Sequence, residues 1–99
     1  MDIEKLKAAG FVETTYPDQP GIFWTKHLPI ANMPYASEHI ADGFLVSETD
    51  TAIVETVPDV AFKGGGVHML VLRSDYAEDI VAVDSEEGLA LLRDAGVEC

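Results

Sequence analysis

The sequence is short of cysteine, of basic residues and of long apolar runs, and each shortage excludes a class of protein. Its one cysteine, Cys99, rules out a disulfide within the chain, which fits a reducing compartment, and we expect a cytoplasmic protein. The longest uncharged apolar run, residues 67–72, is far shorter than the roughly 20 residues of a membrane helix. Residues 1–5 are acidic and contain no apolar stretch, so we also expect no secretory signal.

Motifs that indicate catalysis or a cofactor are missing as well. The sequence has no Gly-x-Ser-x-Gly motif, and Lys63 precedes its glycines instead of following them as in a phosphate-binding P-loop. The histidines His27, His39 and His68 are too far apart in sequence, from one another and from Cys99, for a recognisable zinc-binding spacing. We therefore expect no metal, no cofactor and no enzymatic activity, and we interpret His68 as a histidine at the edge of the core.

The strongest positive feature is the net charge. Eighteen Asp and Glu against six Lys and Arg give −12 in 99 residues, whereas small soluble domains usually carry a net charge of magnitude about 2–8. Residues 1–26 are nearly neutral, while residues 27–62 contain six acidic residues and no Lys or Arg, and residues 63–99 carry a net −5. The carboxylates are spaced along predicted elements, so the pattern indicates an acidic folded body and not a disordered tail.

The order of helix and strand signals predicts a single α+β domain over residues 1–99. A hydrophobic content of 47% supplies one modest core and argues against disorder. We predict a mostly antiparallel, meandering sheet of about five to six short strands, with N- and C-terminal helices packed on one face. The predicted helices are 2–9, 34–41 and 85–95, and the predicted strands are 11–16, 22–28, 44–48, 52–57, 67–73 and 80–83.

Three local features of this prediction are specific. Residues 17–21 predict a five-residue loop in the first hairpin, and residues 49–51 predict the turn of a second hairpin that joins 44–48 to 52–57. Asp84 with Glu87 three residues later predicts a capping box for the last helix.

The apolar segment 28–35 has two interpretations. Leu28, Ile30, Met33 and Tyr35 lie within a stretch that is irregular between two prolines. The segment either folds over the edge of the sheet as part of the core or forms a patch that faces a partner, where Met and Tyr are favoured. Both interpretations stay open on the sequence alone.

Carboxylates that are fixed on strands and helices can imitate part of a phosphate track. Alternate residues on a strand face are about 6.6 Å apart, and each strand of B-DNA presents a phosphate about every 3.4 Å. A nucleic-acid-binding protein would meet such a surface with Arg and Lys, whereas nucleic acid and anionic membrane would be repelled. The candidate partner-binding residues are acidic or tyrosine side chains from position 35 onward: Tyr35, Glu38, Asp42, Glu48, Asp50, Glu55, Asp59, Asp75, Tyr76, Glu78 and Asp79.

These features favour a small non-enzymatic protein that occupies the basic, nucleic-acid-binding surface of a partner protein. In size and acidity, though in no motif, the chain resembles the inhibitors that phage and other mobile elements carry against restriction or CRISPR machinery. The resemblance implies binding to a nucleic-acid-binding protein or complex, with no direct binding of nucleic acid and no membrane. The alternative is a generic protein–protein interaction module (an immunity, adaptor or subunit protein) that binds through residues 28–35, with the acidity serving solubility.

Overall fold

The chain forms a five-stranded antiparallel sheet with an N-terminal and a C-terminal helix, which confirms the predicted α+β fold. The computed structural model describes residues 2–40, 49–72 and 77–98, and only the backbone of residues 39, 40 and 77. The strands are adjacent in chain order, each pairing with the next. The elements are α1 (Ile3–Ala8), β1 (Val12–Tyr16), β2 (Gln19–Pro29), β3 (Thr51–Val57), β4 (Gly66–Leu72), β5 (Ala77–Ala82) and α2 (Glu86–Asp94).

Both helices begin at a side-chain cap, but the cap of α2 differs from the prediction. At α1, Asp2 accepts a hydrogen bond from the Glu4 amide at 2.9 Å. At α2, the Ser85 hydroxyl accepts from the Gly88 amide at 3.0 Å, so Asp84 is not the N-cap and the predicted capping box is wrong. Ser85 takes this position because its hydroxyl also donates to the Ala82 carbonyl at 2.6 Å, which ties the helix start to the end of β5.

The first hairpin is tighter than the predicted five-residue loop. β2 begins at Gln19, which pairs with Tyr16, so only two residues remain in the turn. The register of β1 against β2 shifts between Thr14 and Tyr16, and Gly21 opposite adopts a φ of 89°. A side chain on Gly21 would also collide with Pro58, because an ideal Cβ lies 2.7 Å from its Cγ. The irregular start of β2 therefore depends on glycine.

The middle strand, β3, has neighbours on both sides. It pairs with β2 from Trp24↔Thr56 to Pro29↔Thr51, and with β4 from Thr51↔Leu72 to Val57↔Gly66. The predicted second hairpin is therefore replaced by pairing of β3 with β2 and β4, and its other segment, residues 44–48, lies outside the described residues. The predicted inner position of residues 67–73 is confirmed over β4, which lies between β3 and β5.

The core lies between one face of the sheet and the two helices. Val54 and Met69 from the sheet meet Leu6 of α1 and Leu91 and Leu92 of α2 in one buried cluster. We call this side of the sheet the covered face and the other side the open face. None of the helices in the described residues is long and apolar enough to span a membrane.

Residues 28–35 belong to the core, which decides between their two interpretations. Ile30 and Met33 are fully buried and Leu28 nearly so, while Tyr35 packs against the same cluster. A short 3₁₀ helix, Ile30–Asn32, turns the chain over the sheet, and a π-helical segment, Ala36–Ile40, follows within the predicted helix 34–41. Apolar burial explains the composition of this segment.

Candidate functional site on the open face

Strand register places polar side chains in one row across the open face. Thr25 pairs with Glu55, Glu55 pairs with His68, and His68 pairs with Ile80. Directly opposed residues of neighbouring antiparallel strands point to the same side of a sheet. Because Val54 and Met69, the chain neighbours of Glu55 and His68, point into the core, this row points away from the helices.

A chain of polar contacts runs along this row from β1 to β5. The hydroxyls of Tyr16 and Thr25 both donate to Oε2 of Glu55, Thr25 at 3.1 Å. His68 Nδ1 lies 3.8 Å from Glu55 Oε1, which is an ion-pair distance and too long for a hydrogen bond. On its other side, His68 Nε2 donates to Glu78 Oε2 at 3.2 Å. We call Tyr16, Thr25, Glu55, His68 and Glu78 the open-face network.

Glu55 is the centre of the network and stays ionised although it is 7% exposed. Burial raises the pKa of its carboxyl, but the interactions with His68, Tyr16 and Thr25 outweigh this effect. The pKa of Glu55 therefore lies below the ordinary value of 4.5. A buried carboxylate with three partners of this kind meets the requirement that buried charges be paired.

The pKa values of two partners of Glu55, His68 and Tyr16, are raised. The interaction with Glu55 raises the pKa of His68, burial opposes this, and the contact with Glu78 raises it further, so the net shift is upward from 6.5. The hydrogen bond to Glu55 likewise raises the pKa of the Tyr16 hydroxyl, with burial adding to the effect. His68 therefore binds a proton more readily than a histidine in water, because two carboxylates flank it.

Tyr16, Glu55, His68 and Glu78 of the network line a concave cavity of about 560 Å³, a volume within the range of small-molecule sites. Tyr16 and Phe23 form one side as an edge-to-face pair, with ring centroids 5.0 Å apart and planes at 81°. Val57, Ala61 and Ile80 add apolar surface. Glu78 lines the cavity on the side of β5, which is an edge strand, whereas the side chain of the next residue, Asp79, lies opposite Met69 and points to the covered side.

A second concentration of charge lies around Tyr35. Burial first, and then the negative charges of Glu87, Asp79, Asp94 and Glu86, raise the pKa of the Tyr35 hydroxyl. These carboxylates come from β5 and from both ends of α2, so the fold brings together residues that are far apart in sequence from Tyr35. We call Asp79, Glu86, Glu87 and Asp94 the C-terminal acidic surface. Asp94 has a structural role too, because it accepts from the Ala36 amide at 2.9 Å.

The predicted site residues fall into several groups. Tyr35 and Asp79 meet at the C-terminal acidic surface, whereas Glu55 and Glu78 meet in the open-face network. Asp59 accepts from the Gly64 amide at 2.7 Å, Asp50 directly precedes β3 and Glu38 is exposed on the π-helical segment. Four further candidates lie outside the described residues: Asp42, Glu48, Asp75 and Tyr76.

Sequence reasoning missed Tyr16 and Thr25 altogether and placed His68 only at the edge of the core. Cross-strand register is the signal that could have revealed the role of His68, since pairing 52–57 with 67–73 as a hairpin puts Glu55 near His68. No group of three or more His, Cys, Asp or Glu within residues 2–40, 49–72 and 77–98 is arranged to hold a metal ion.

Comparison with known proteins returned no matching family model, no matching curated protein and no matching solved structure.

Proposed function

We propose that the protein binds the basic, nucleic-acid-binding surface of a partner protein through its C-terminal acidic surface. The observation that carries the proposal is the grouping of Asp79, Glu86, Glu87 and Asp94 on the side of the fold where α2 packs against β5 and Asp94 accepts from the Ala36 amide beside Tyr35. Like charges on one surface repel one another, and a basic partner would relieve that repulsion.

The chemistry of this surface suits a partner rich in Arg and Lys. Arg pairs with carboxylates through two parallel hydrogen bonds, which gives direction as well as attraction. A concentrated negative field also accelerates encounter with a basic surface. Tyr35 adds a half-buried aromatic ring among the carboxylates, and tyrosine is enriched in protein interfaces.

Occupation of such a surface would exclude nucleic acid from the partner. The protein would then act as an inhibitor, of the class that its size and acidity resemble. The alternative function, binding through residues 28–35, is not proposed because Leu28, Ile30 and Met33 lie in the core.

Two charge-reversal variants test the proposal with equal changes in net charge. One carries Glu86→Lys and Glu87→Lys in the first turn of α2, and the matched control carries Glu4→Lys and Glu13→Lys on α1 and β1. Each immobilised protein is exposed to extract of the native host, and the proteins released by short duplex DNA or by salt rising from about 0.05 to 0.5 M are identified.

We expect the wild type and the control to retain a nucleic-acid-binding protein that DNA displaces and that dissociates as salt rises. The Glu86→Lys, Glu87→Lys variant should lose it while keeping the wild-type unfolding transition. Retention that is insensitive to both DNA and salt, or equal loss in the two variants, would overturn the proposal.

A further inference from the structure

The cavity on the open face holds more negative than positive charge. Among the described residues whose side chains face it, Glu55 and Glu78 are acidic and His68 is basic. Even with His68 protonated, this set of side chains carries an excess of negative charge. Fields inside a concave, partly apolar wall are focused, so the excess acts on a bound ligand more strongly than it would on a flat surface.

The two glutamates of the network differ in what they can still bind. Glu55 is buried and already accepts from Tyr16 and Thr25 while facing His68. The Glu78 side chain is 56% exposed and meets His68 through one oxygen, Oε2. A carboxylate has room for about four hydrogen bonds, so Glu78 retains acceptor capacity at the rim of the cavity.

The rest of the wall is aromatic and aliphatic. Tyr16 and Phe23 provide ring surface, and Val57 and Ile80 provide aliphatic surface. Aromatic faces attract cations, and apolar walls favour a ligand with a short hydrocarbon stem. Carboxylates beside aromatic rings thus match a group with a charged head and an apolar body.

We propose that this cavity binds a compact organic cation, a guanidinium or primary ammonium on a short apolar stem. The cation pairs with Glu78, and the stem lies against Tyr16 and Ile80. The site goes beyond the proposed function, because it lies on the open face and none of its charged side chains belongs to the C-terminal acidic surface. The same chemistry is found in a free amine and in an arginine side chain of another protein.

Binding of the cation is coupled to the proton on His68. The groups that face His68 are Glu55 from β3 and Glu78 from β5, while Tyr16 from β1 acts through Glu55. A cation at Glu78 competes with protonated His68 for the same carboxylate. The ligand therefore displaces the His68 proton, and its affinity rises as the pH rises through the pKa of His68.

Nuclear magnetic resonance of the His68 ring in the whole chain provides the test. The probes are agmatine, a free guanidinium, and acetyl-Gly-Arg-Gly-amide, with N-butylurea as the neutral control of similar shape. We expect saturable shifts of the His68 ring signals with a cationic probe, with a dissociation constant on the order of 1 mM. The pKa of His68 should fall at saturation, and N-butylurea should have no such effect.

Two variants with the same loss of charge localise the site. Glu78→Gln should weaken binding by about tenfold, because a charged hydrogen bond is replaced by a neutral one. Glu13→Gln, on β1 and outside both acidic sites, should bind like the wild type. Both positions are exposed, and a retained unfolding transition shows that each variant folds.

The two cationic probes distinguish the sources of the ligand. Tighter binding of agmatine indicates a free amine, and tighter binding of the peptide indicates an arginine side chain, and either result supports the site. The proposal is overturned if neither probe saturates, if N-butylurea gives the same shifts, or if Glu78→Gln and Glu13→Gln weaken binding equally. None of these results bears on the Glu86→Lys, Glu87→Lys test of the proposed function.

Discussion

The covered and open faces of the sheet are built by alternate residues of the same strands, yet they serve different purposes. On β4, Met69 is fully buried against the helices, while its neighbour His68 faces the open side between two carboxylates. The covered face excludes water with apolar side chains, whereas the open face holds titratable groups around a cavity. Stability should therefore depend mainly on the first, and ligand chemistry on the second.

Among the described strand residues, one basic side chain lies on the covered face, and its role fits this division. Lys26 shares that face with Trp24 and Leu28 and donates to the Ala95 carbonyl at 2.6 Å, at the C-terminal end of α2. A cation at this end of a helix stabilises the unpaired carbonyls. The charge on the covered face is thus structural, since it anchors the end of α2 to the sheet.

The largest effect on stability should come from a substitution that leaves a cavity in the core at the covered face. Met69→Ala removes a fully buried side chain and leaves a cavity, so we expect a loss of about 2–5 kcal/mol in the free energy of unfolding. On the same strand, Leu72 faces the open side and is 41% exposed, so Leu72→Ala should cost less than about 1 kcal/mol. Urea unfolding of both variants measures the difference. Equal losses in the free energy of unfolding would mean that the two faces contribute alike to stability.

A smaller loss should follow from neutralising the centre of the open-face network. Glu55→Gln keeps the shape of the side chain but removes the negative charge with which Tyr16, Thr25 and His68 interact. We expect this variant to lose about 1–2 kcal/mol in the free energy of unfolding, because hydrogen bonds to a charged acceptor are stronger than neutral ones.

The matched control for Glu55→Gln is Glu13→Gln, the same change at an exposed strand position, which should stay within about 0.5 kcal/mol of the wild type. If Glu55→Gln were as stable as Glu13→Gln, the network would contribute nothing to folding. The two faces would then differ even more sharply than proposed.

The covered face was largely predictable, because its signals are local in sequence. Apolar spacing and glycine stops give both helices, and alternation of apolar residues gives most strands. The cap of α2 was placed at Asp84 instead of Ser85, because both residue types cap helices and only the geometry at Ala82 selects the serine. The segment 28–35 kept two interpretations, since an apolar loop looks the same whether it is buried or faces a partner.

The open-face network was not predictable in the same way, because it depends on pairing between strands. Tyr16 bonds Glu55, which is 39 positions away in sequence. The tight turn before Gln19 determines the position of Tyr16 at the end of β1. The predicted second hairpin also assigned β3 a wrong neighbour, which hid the pairing of β2 with β3 that puts Thr25 beside Glu55. A single sequence constrains such registers only through the alternation of apolar residues and turn chemistry, and neither shows which strands are neighbours.

The smallest predicted effect is a pH dependence of stability that comes from the open-face network and not from the net charge of the chain. Because the pKa of His68 is raised above 6.5 in the folded state, its contribution is fully present below pH 6.5 and is lost as the pH rises through the folded pKa. The pKa of Glu55 is lowered, so its contribution is present above about pH 4.5 and is lost as the pH falls through the folded pKa. The network should stabilise most between these limits.

His68→Gln isolates this contribution, since wild type and variant share all their other residues and therefore the self-repulsion of the acidic side chains. We expect the wild type to exceed the variant in melting temperature by more at about pH 5.5 than at about pH 8. Calorimetry at both pH values measures the two differences. A constant difference would mean that His68 stabilises the fold by packing alone, and the open face would then resemble the covered face in how it contributes to stability.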